Sequence, residues 1–131
     1  MQPYEYTAEI CCAVSVKIKG FGNKFPPNLN HRIHWAQRAR LNKMWRARVY
    51  LAIGADRPKF PLNKTHVIFT KISTKACDFD NLVTSMKPIA DGLKDAGVII
   101  DDSVEYFSAE YKFEKCKRGD EKLRIEIKEI L

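Results

Sequence analysis

The chain has 131 residues, 45% of them apolar and 30% charged, with a net charge of +7. That length supports one domain around one core and leaves no room for a separate substrate domain. Apolar runs fall short of the roughly 18 residues of a membrane span, and the start lacks the basic and apolar segments of a signal peptide. A soluble, cytoplasmic protein with no membrane partner is therefore expected. Cys11, Cys12, Cys77 and Cys116 form no C-x-x-C pair and have no histidine at zinc-ligand spacing, so reduced thiols are expected.

Tyr4 to Lys19 alternates, with Ile10, Cys12, Val14, Val16 and Ile18 on one side, which predicts a half-buried strand. Gly20, Gly22, Pro26 and Pro27 mark GFGNKFPPNLN as a loop, with Asn28 or Asn30 available to cap the helix that follows. His31 to Ile53 reads as that helix. Leu41, Met44, Trp45, Val49 and Ala52 share an apolar stripe, and Arg40, Lys43 and Arg46 project the other way. Arg38 and Arg48 fall near the stripe, either as snorkelling stems or as arginines held by the core and aimed at phosphate. Thr65 to Thr74 is β-branched and aromatic enough for a second strand. A helix is predicted from Asn81 to Ala96, kinked by Pro88 near Thr84 and stopped by Gly97. Val104 to Glu114 and Leu123 to Ile130 read as two strands joined in a hairpin through CKRGDE. The sum is a single α+β domain with a mixed sheet and two main helices.

Charge is unevenly spread. Between Ile10 and Ala55 there is no Asp or Glu, while Lys17, Lys19, Lys24, Arg32, Arg38, Arg40, Lys43, Arg46 and Arg48 supply nine positive charges. The other 14 of the 23 cations face all 16 acids, a net of −2. So one-sided a block suits a polyanion, nucleic acid being the commonest; the bland alternative is a solvated basic face. Arg32, Arg38, Arg40, Lys43, Arg46 and Arg48 are the DNA-binding candidates.

Against that basic background, CDFDNLVTSMKPIADGLKDAGVIIDD gathers acids at both ends of one helical segment. Like charges near a surface repel by roughly 4 kcal/mol at 4 Å, so a cation is the usual reason for such a cluster. At 100° per residue, Asp80, Thr84, Lys87 and Asp91 share one face, and Leu82, Met86, Ile89, Ala90 and Leu93 the other. Asp78 and Asp80 alternate as at a strand end. Asp101 and Asp102 follow the apolar Val98–Ile100, where carboxylates from neighbouring strands can converge. Mg²⁺ favours such oxygen ligands, typically one or two carboxylates plus substrate phosphate, and paired metal sites cut phosphodiesters.

The order D-x-D-N, Lys, D-x-L-x-x-x-G, D-D resembles the RusA family of Holliday junction resolvases. It is carried here by Asp78-Phe79-Asp80-Asn81, Lys87, Asp91 to Gly97, and Asp101-Asp102. The likeness spans residues 78–102, and PPNLN followed by a basic helix is more loosely similar to the family's N-terminal half. It implies a small homodimeric α/β nuclease that nicks branched DNA, four-way junctions above all, symmetrically with Mg²⁺, for which Mn²⁺ can substitute, in recombination and repair. It further implies Asp78, Asp80 and Asp102 as metal-binding catalytic carboxylates, with Asp101 as a further metal ligand and Lys87 as a catalytic cation. The family's lysine stands one helical turn after the second aspartate, whereas Lys87 stands two turns after Asp80. Both spacings return to nearly the same face. A Lys87–Asp91 ion pair is the alternative role.

Two other readings remain. DFDNLV resembles the nucleophile motif of haloacid dehalogenase-type phosphatases, with Asp78 as nucleophile, but TKISTKAC lacks the buried apolar strand that motif needs. A non-catalytic branched-DNA-binding module is the other. His31, His34 and His66 are read as cap or core residues before general bases. Trp45 is read as core, and Trp35 as a residue able to stack on unpaired bases.

Overall fold

The structure, a computed structural model, describes residues 3–13, 16–18 and 21–131, with residues 16–18 and 21–23 described as backbone alone. The elements in chain order are β1 (Glu5–Cys11), β2 (Val16–Ile18), β3 (Phe21–Asn23), α1 (Trp35–Ile53), β4 (Thr65–Ser73), α2 (Phe79–Ser85), α3 (Lys87–Asp95), β5 (Phe107–Lys115) and β6 (Lys122–Glu129). A four-stranded sheet in the order β1-β6-β4-β5 carries the helices on one face. Only β4 and β5 run parallel within it, and the chain passes through α2 and α3 between them. This is the expected α+β fold with a mixed sheet.

β4 takes a central place because it is apolar on both sides. Val67 and Phe69 enter the main core, while Ile68, Thr70 and Ile72 are buried on the opposite side. The expected β5–β6 hairpin is therefore wrong: β4 lies between the two strands, and the chain crosses its end after β5. The long first strand is also wrong. β1 pairs with β6 from Glu5↔Lys128 to Cys11↔Lys122, and β6 begins at Lys122, so the ladder stops there. Val16–Ile18 instead pairs with Phe21–Asn23, a strand where a loop was expected. Val14 and Lys19 lie outside the described residues.

α1 starts at Trp35, later than His31, because neither Asn28 nor Asn30 caps it. The Asn28 side chain accepts from the Asn30 amide at 2.8 Å, and the His31 amide bonds to the Asn28 carbonyl at 3.3 Å, which closes a separate turn. His34 caps the helix, its Nδ1 accepting from the Ala36 amide at 3.2 Å. Leu41, Trp45, Val49 and Ile53 are buried, each worth roughly 1.5–3 kcal/mol against exposure. α1 packs on α3 at Gly92, where an added Cβ would stand 2.7 Å from Val49 Cβ.

The single helix expected over 81–96 is two. α2 ends at Ser85 and α3 begins at Lys87, with Pro88 in its first turn. Pro88 has no amide to give the Thr84 carbonyl, so a stop and restart replaces the kink. At the far end Gly97, at φ 73°, lets Val98 N reach Leu93 O at 3.0 Å and Gly97 N reach Lys94 O at 3.1 Å, the Schellman pattern. Leu62 and Ile99 then form a parallel bridge that anchors the run into Asp101.

Candidate functional site

Residues far apart in sequence meet at the β5 edge of the helical layer. Asp78 is the residue before α2 and makes no side-chain capping bond, and Asp80 lies in the first turn. Both are exposed, and neither has an ion pair among the described residues. Between them Phe79 sets its ring edge-on to Tyr111, with centroids 6.3 Å apart. Tyr111 in turn stacks on Phe69 at 5.4 Å, which fixes its ring to the central strand. Its hydroxyl pKa is raised, first by burial, with Lys87 opposing and Asp102 reinforcing, so those two charges lie near the same ring.

Lys87, at the start of α3, bridges Asp102 by a short ion pair and Asp91 at 3.1 Å. The bond to Lys87 holds the Asp102 carboxyl below the usual carboxylate range, and the same bond raises the Lys87 ammonium. Asp101 receives Lys94 at 3.4 Å and the Asp102 amide at 2.8 Å. Among the described residues no three His, Cys, Asp or Glu side chains are grouped so as to hold a metal ion. Carboxylate oxygens are the donors a hard divalent ion takes, but the structure does not gather Asp78, Asp80, Asp101 and Asp102 into one ligand set: Asp102 is held by Lys87 and Asp101 by Lys94.

The PPNLN loop is tied to this edge. Asn30 Nδ2 donates to Asn81 Oδ1 at 2.5 Å, and the Leu29 amide to Thr84 Oγ1 at 3.3 Å. Those two bonds tie the segment before α1 to α2, whereas Lys43, farther along α1, lies with Arg46 and Asp95 near the end of α3. Arg32, Arg40 and Lys43 are exposed and have no ion pair among the described residues. Arg38 is turned inward, donating to the Asn28 carbonyl at 3.1 Å and the His31 carbonyl at 2.5 Å. Arg48 lies over the Trp45 ring at 4.5 Å and donates to the Cys11 carbonyl at 2.7 Å. Arg46 grips Asp95 with two bonds at 2.6 and 2.8 Å. Of the six DNA-binding candidates, Arg38, Arg46 and Arg48 are thus engaged by partners within the fold, and Arg32, Arg40 and Lys43 have no ion pair among the described residues.

The histidines are occupied elsewhere. His34 caps α1, and His31 Nδ1 accepts from the Asn28 amide at 3.1 Å, its pKa lowered first by burial. His66 bonds Ser108 at 2.7 Å and Glu110 at 2.9 Å on the face of the sheet away from the helices. Trp45 is core at 1% exposure, and Trp35 stands out at 77%. Asp78 is well past the end of β4 at Ser73, not at a strand terminus as a haloacid dehalogenase nucleophile would be. Sequence reasoning placed Thr84 on the charged helix face without a role and missed Tyr111 altogether. The alternation of Phe107, Ala109, Tyr111 and Phe113 is the one signal that points Tyr111 inward.

No protein-family model and no curated protein matches the chain.

Proposed function

We propose that the protein is a Mg²⁺-dependent endodeoxyribonuclease of the RusA kind, which resolves four-way junctions and related branched DNA by paired phosphodiester hydrolysis and acts as a homodimer. One observation carries this reading: the two segments that resemble that family touch each other. Asn30 bonds Asn81, Leu29 bonds Thr84, and Lys87 joins Asp102 to the same edge.

In this reading Asp78, Asp80 and Asp102 hold the ion, with Asp101 beside them, and Mn²⁺ can replace Mg²⁺. A bound Mg²⁺ supplies an activated water and neutralises charge on the phosphate. Lys87, held between Asp91 and Asp102, presents its ammonium to a phosphate oxygen as negative charge grows there. Arg32, Arg40 and Lys43 take the backbone of a flanking arm, a contact that positions DNA without reading its sequence.

The test is a gel assay on a labelled four-way junction and on matched duplex, with Mg²⁺, Ca²⁺ or EDTA. Paired nicks in the junction that need Mg²⁺ and are lost in Asp80→Asn, with binding retained, are expected. Tight binding without cutting in any metal would favour a second reading, a non-catalytic branched-DNA-binding module, to which the Lys87–Asp102 pair lends itself by neutralising a carboxylate with no metal.

A further inference from the structure

Beside Asp102 and Lys87 lies a cavity of about 340 Å³ between the PPNLN loop, the α2–α3 break and β5. Met86 and Ala90 line it from the helices and Phe107 and Tyr111 from β5, while Thr84 and Lys87 contribute its polar atoms with Asp102. Tyr111 is held by Phe69, so one wall is a fixed aromatic ring.

We propose that this cavity receives one unstacked nucleobase from the nucleotide next to the scissile phosphate, and that cutting is selective for branched DNA partly because such a base is available there. The inference rests on the nuclease reading above and goes beyond it. The size lies at the lower end for small-molecule sites, enough for one planar ring system. The walls are apolar and aromatic, suited to the faces of a base, and Thr84 Oγ1 suits its edge. The charge is arranged to match. Lys87 is the one cation among the lining residues and is exposed, so a phosphate attached to a buried base would remain outside, beside Lys87 and Asp102. Drawing a base out of an intact stack costs a few kcal/mol and costs least where the base is already unpaired. The cavity thereby couples chemistry to the branch point.

Junctions carrying a single abasic site, moved one nucleotide at a time across the branch, test this with the full chain and Mg²⁺. An abasic site at one position flanking the cut is expected to slow nicking about tenfold, the effect of removing one base–aromatic stack, with overall junction affinity nearly unchanged. Ala90→Leu, which fills the cavity from α3, is expected to cut intact and abasic junctions at the same reduced rate. Should that variant not fold, Tyr111→Leu removes the aromatic wall and is expected to show the same insensitivity. Wild-type protein that nicks every abasic junction as fast as the intact one overturns the base site and leaves the nuclease reading standing. Failure to nick the intact junction in Mg²⁺ or Mn²⁺ overturns both.

Discussion

The two charged regions of this molecule are built from the same residue types and behave differently. On the sheet face away from the helices, Glu9 meets Lys122 at 3.1 Å and Arg124 at 3.3 Å, Arg124 reaches on to Glu114 at 3.0 Å, and His66 holds Glu110. Together these long side chains lie over Thr70 and Ile72 of the central strand, both buried. The Glu9 carboxyl is lowered chiefly by its bond to Lys122. At the β5 edge of the helical layer, by contrast, Asp78 and Asp80 have no cation among the described residues, and Asp102 shares Lys87 with Asp91. Cross-strand pairing sets opposite charges side by side, about 5 Å apart at Cβ, and so Glu9, Glu110 and Glu114 find partners within the fold. The aspartates at the start of α2 are exposed and have no ion pair among the described residues.

That contrast is sharpened most by exchanging one acid from each region. Asp80→Asn is expected to lower Mg²⁺-dependent junction nicking by more than the roughly hundredfold that partners outside the metal's own ligands command. Glu114→Gln, on the paired face, is expected to leave nicking within about twofold, since surface ion pairs are worth at most about 1 kcal/mol. Equal effects of the two substitutions in the same gel assay would erase the distinction.

Gly92→Ala breaks the comparison from the packing side. The new Cβ would stand 2.7 Å from Val49 Cβ, and Val49 is fully buried, so α1 and α3 must move apart. Overpacking of this sort costs about 1–3 kcal/mol, only partly offset by the better helix propensity of alanine. The denaturant midpoint is expected to fall; a midpoint equal to wild type would show that the helices yield without cost.

A smaller effect separates the cations. Replacing Arg32, Arg40 and Lys43 together by alanine is expected to reduce the slope of log affinity against log salt by about 0.9 for each phosphate they no longer neutralise. Arg124→Ala is expected to leave that slope unchanged, because its guanidinium is committed to Glu9 and Glu114. A slope altered by Arg124→Ala alone would move the DNA to the other face.

The smallest effect concerns Arg46 and Asp95. The hydrogen bond from Arg46 holds the Asp95 carboxyl below its ordinary value. Stability from a carboxylate lowered by folding is present in full above the unfolded value of about 4 and disappears as pH falls through the folded one. Both groups are well exposed, so Arg46→Ala is expected to cost only a few tenths of a kcal/mol near neutrality, with the difference from wild type vanishing in strong acid. A deficit in thermal melts that persisted in strong acid would assign it to packing of the arginine stem instead.

Much of this was legible in the residues. The apolar stripe of α1, the far face of α2 and α3, the stop at Gly97 and the exposure of Arg40, Lys43 and Arg46 follow from periodicity and capping chemistry, which act within a few residues. So did the acidic positions and the interruption at Pro88, though its form as two helices depended on how each half packs. Strand neighbours could not be read, because pairing is decided by which strand can be buried on both faces. β4 won that place through Ile68, Thr70 and Ile72 and separated β5 from β6. Which of the six candidate cations found a partner was likewise tertiary, since Asn28, His31, Cys11 and Asp95 supply the acceptors from other segments. By itself the sequence determined which residues could carry charge and on which helix face. Only the folded chain decided which of those charges met a partner, because that depends on how distant segments come together, which no local spacing encodes.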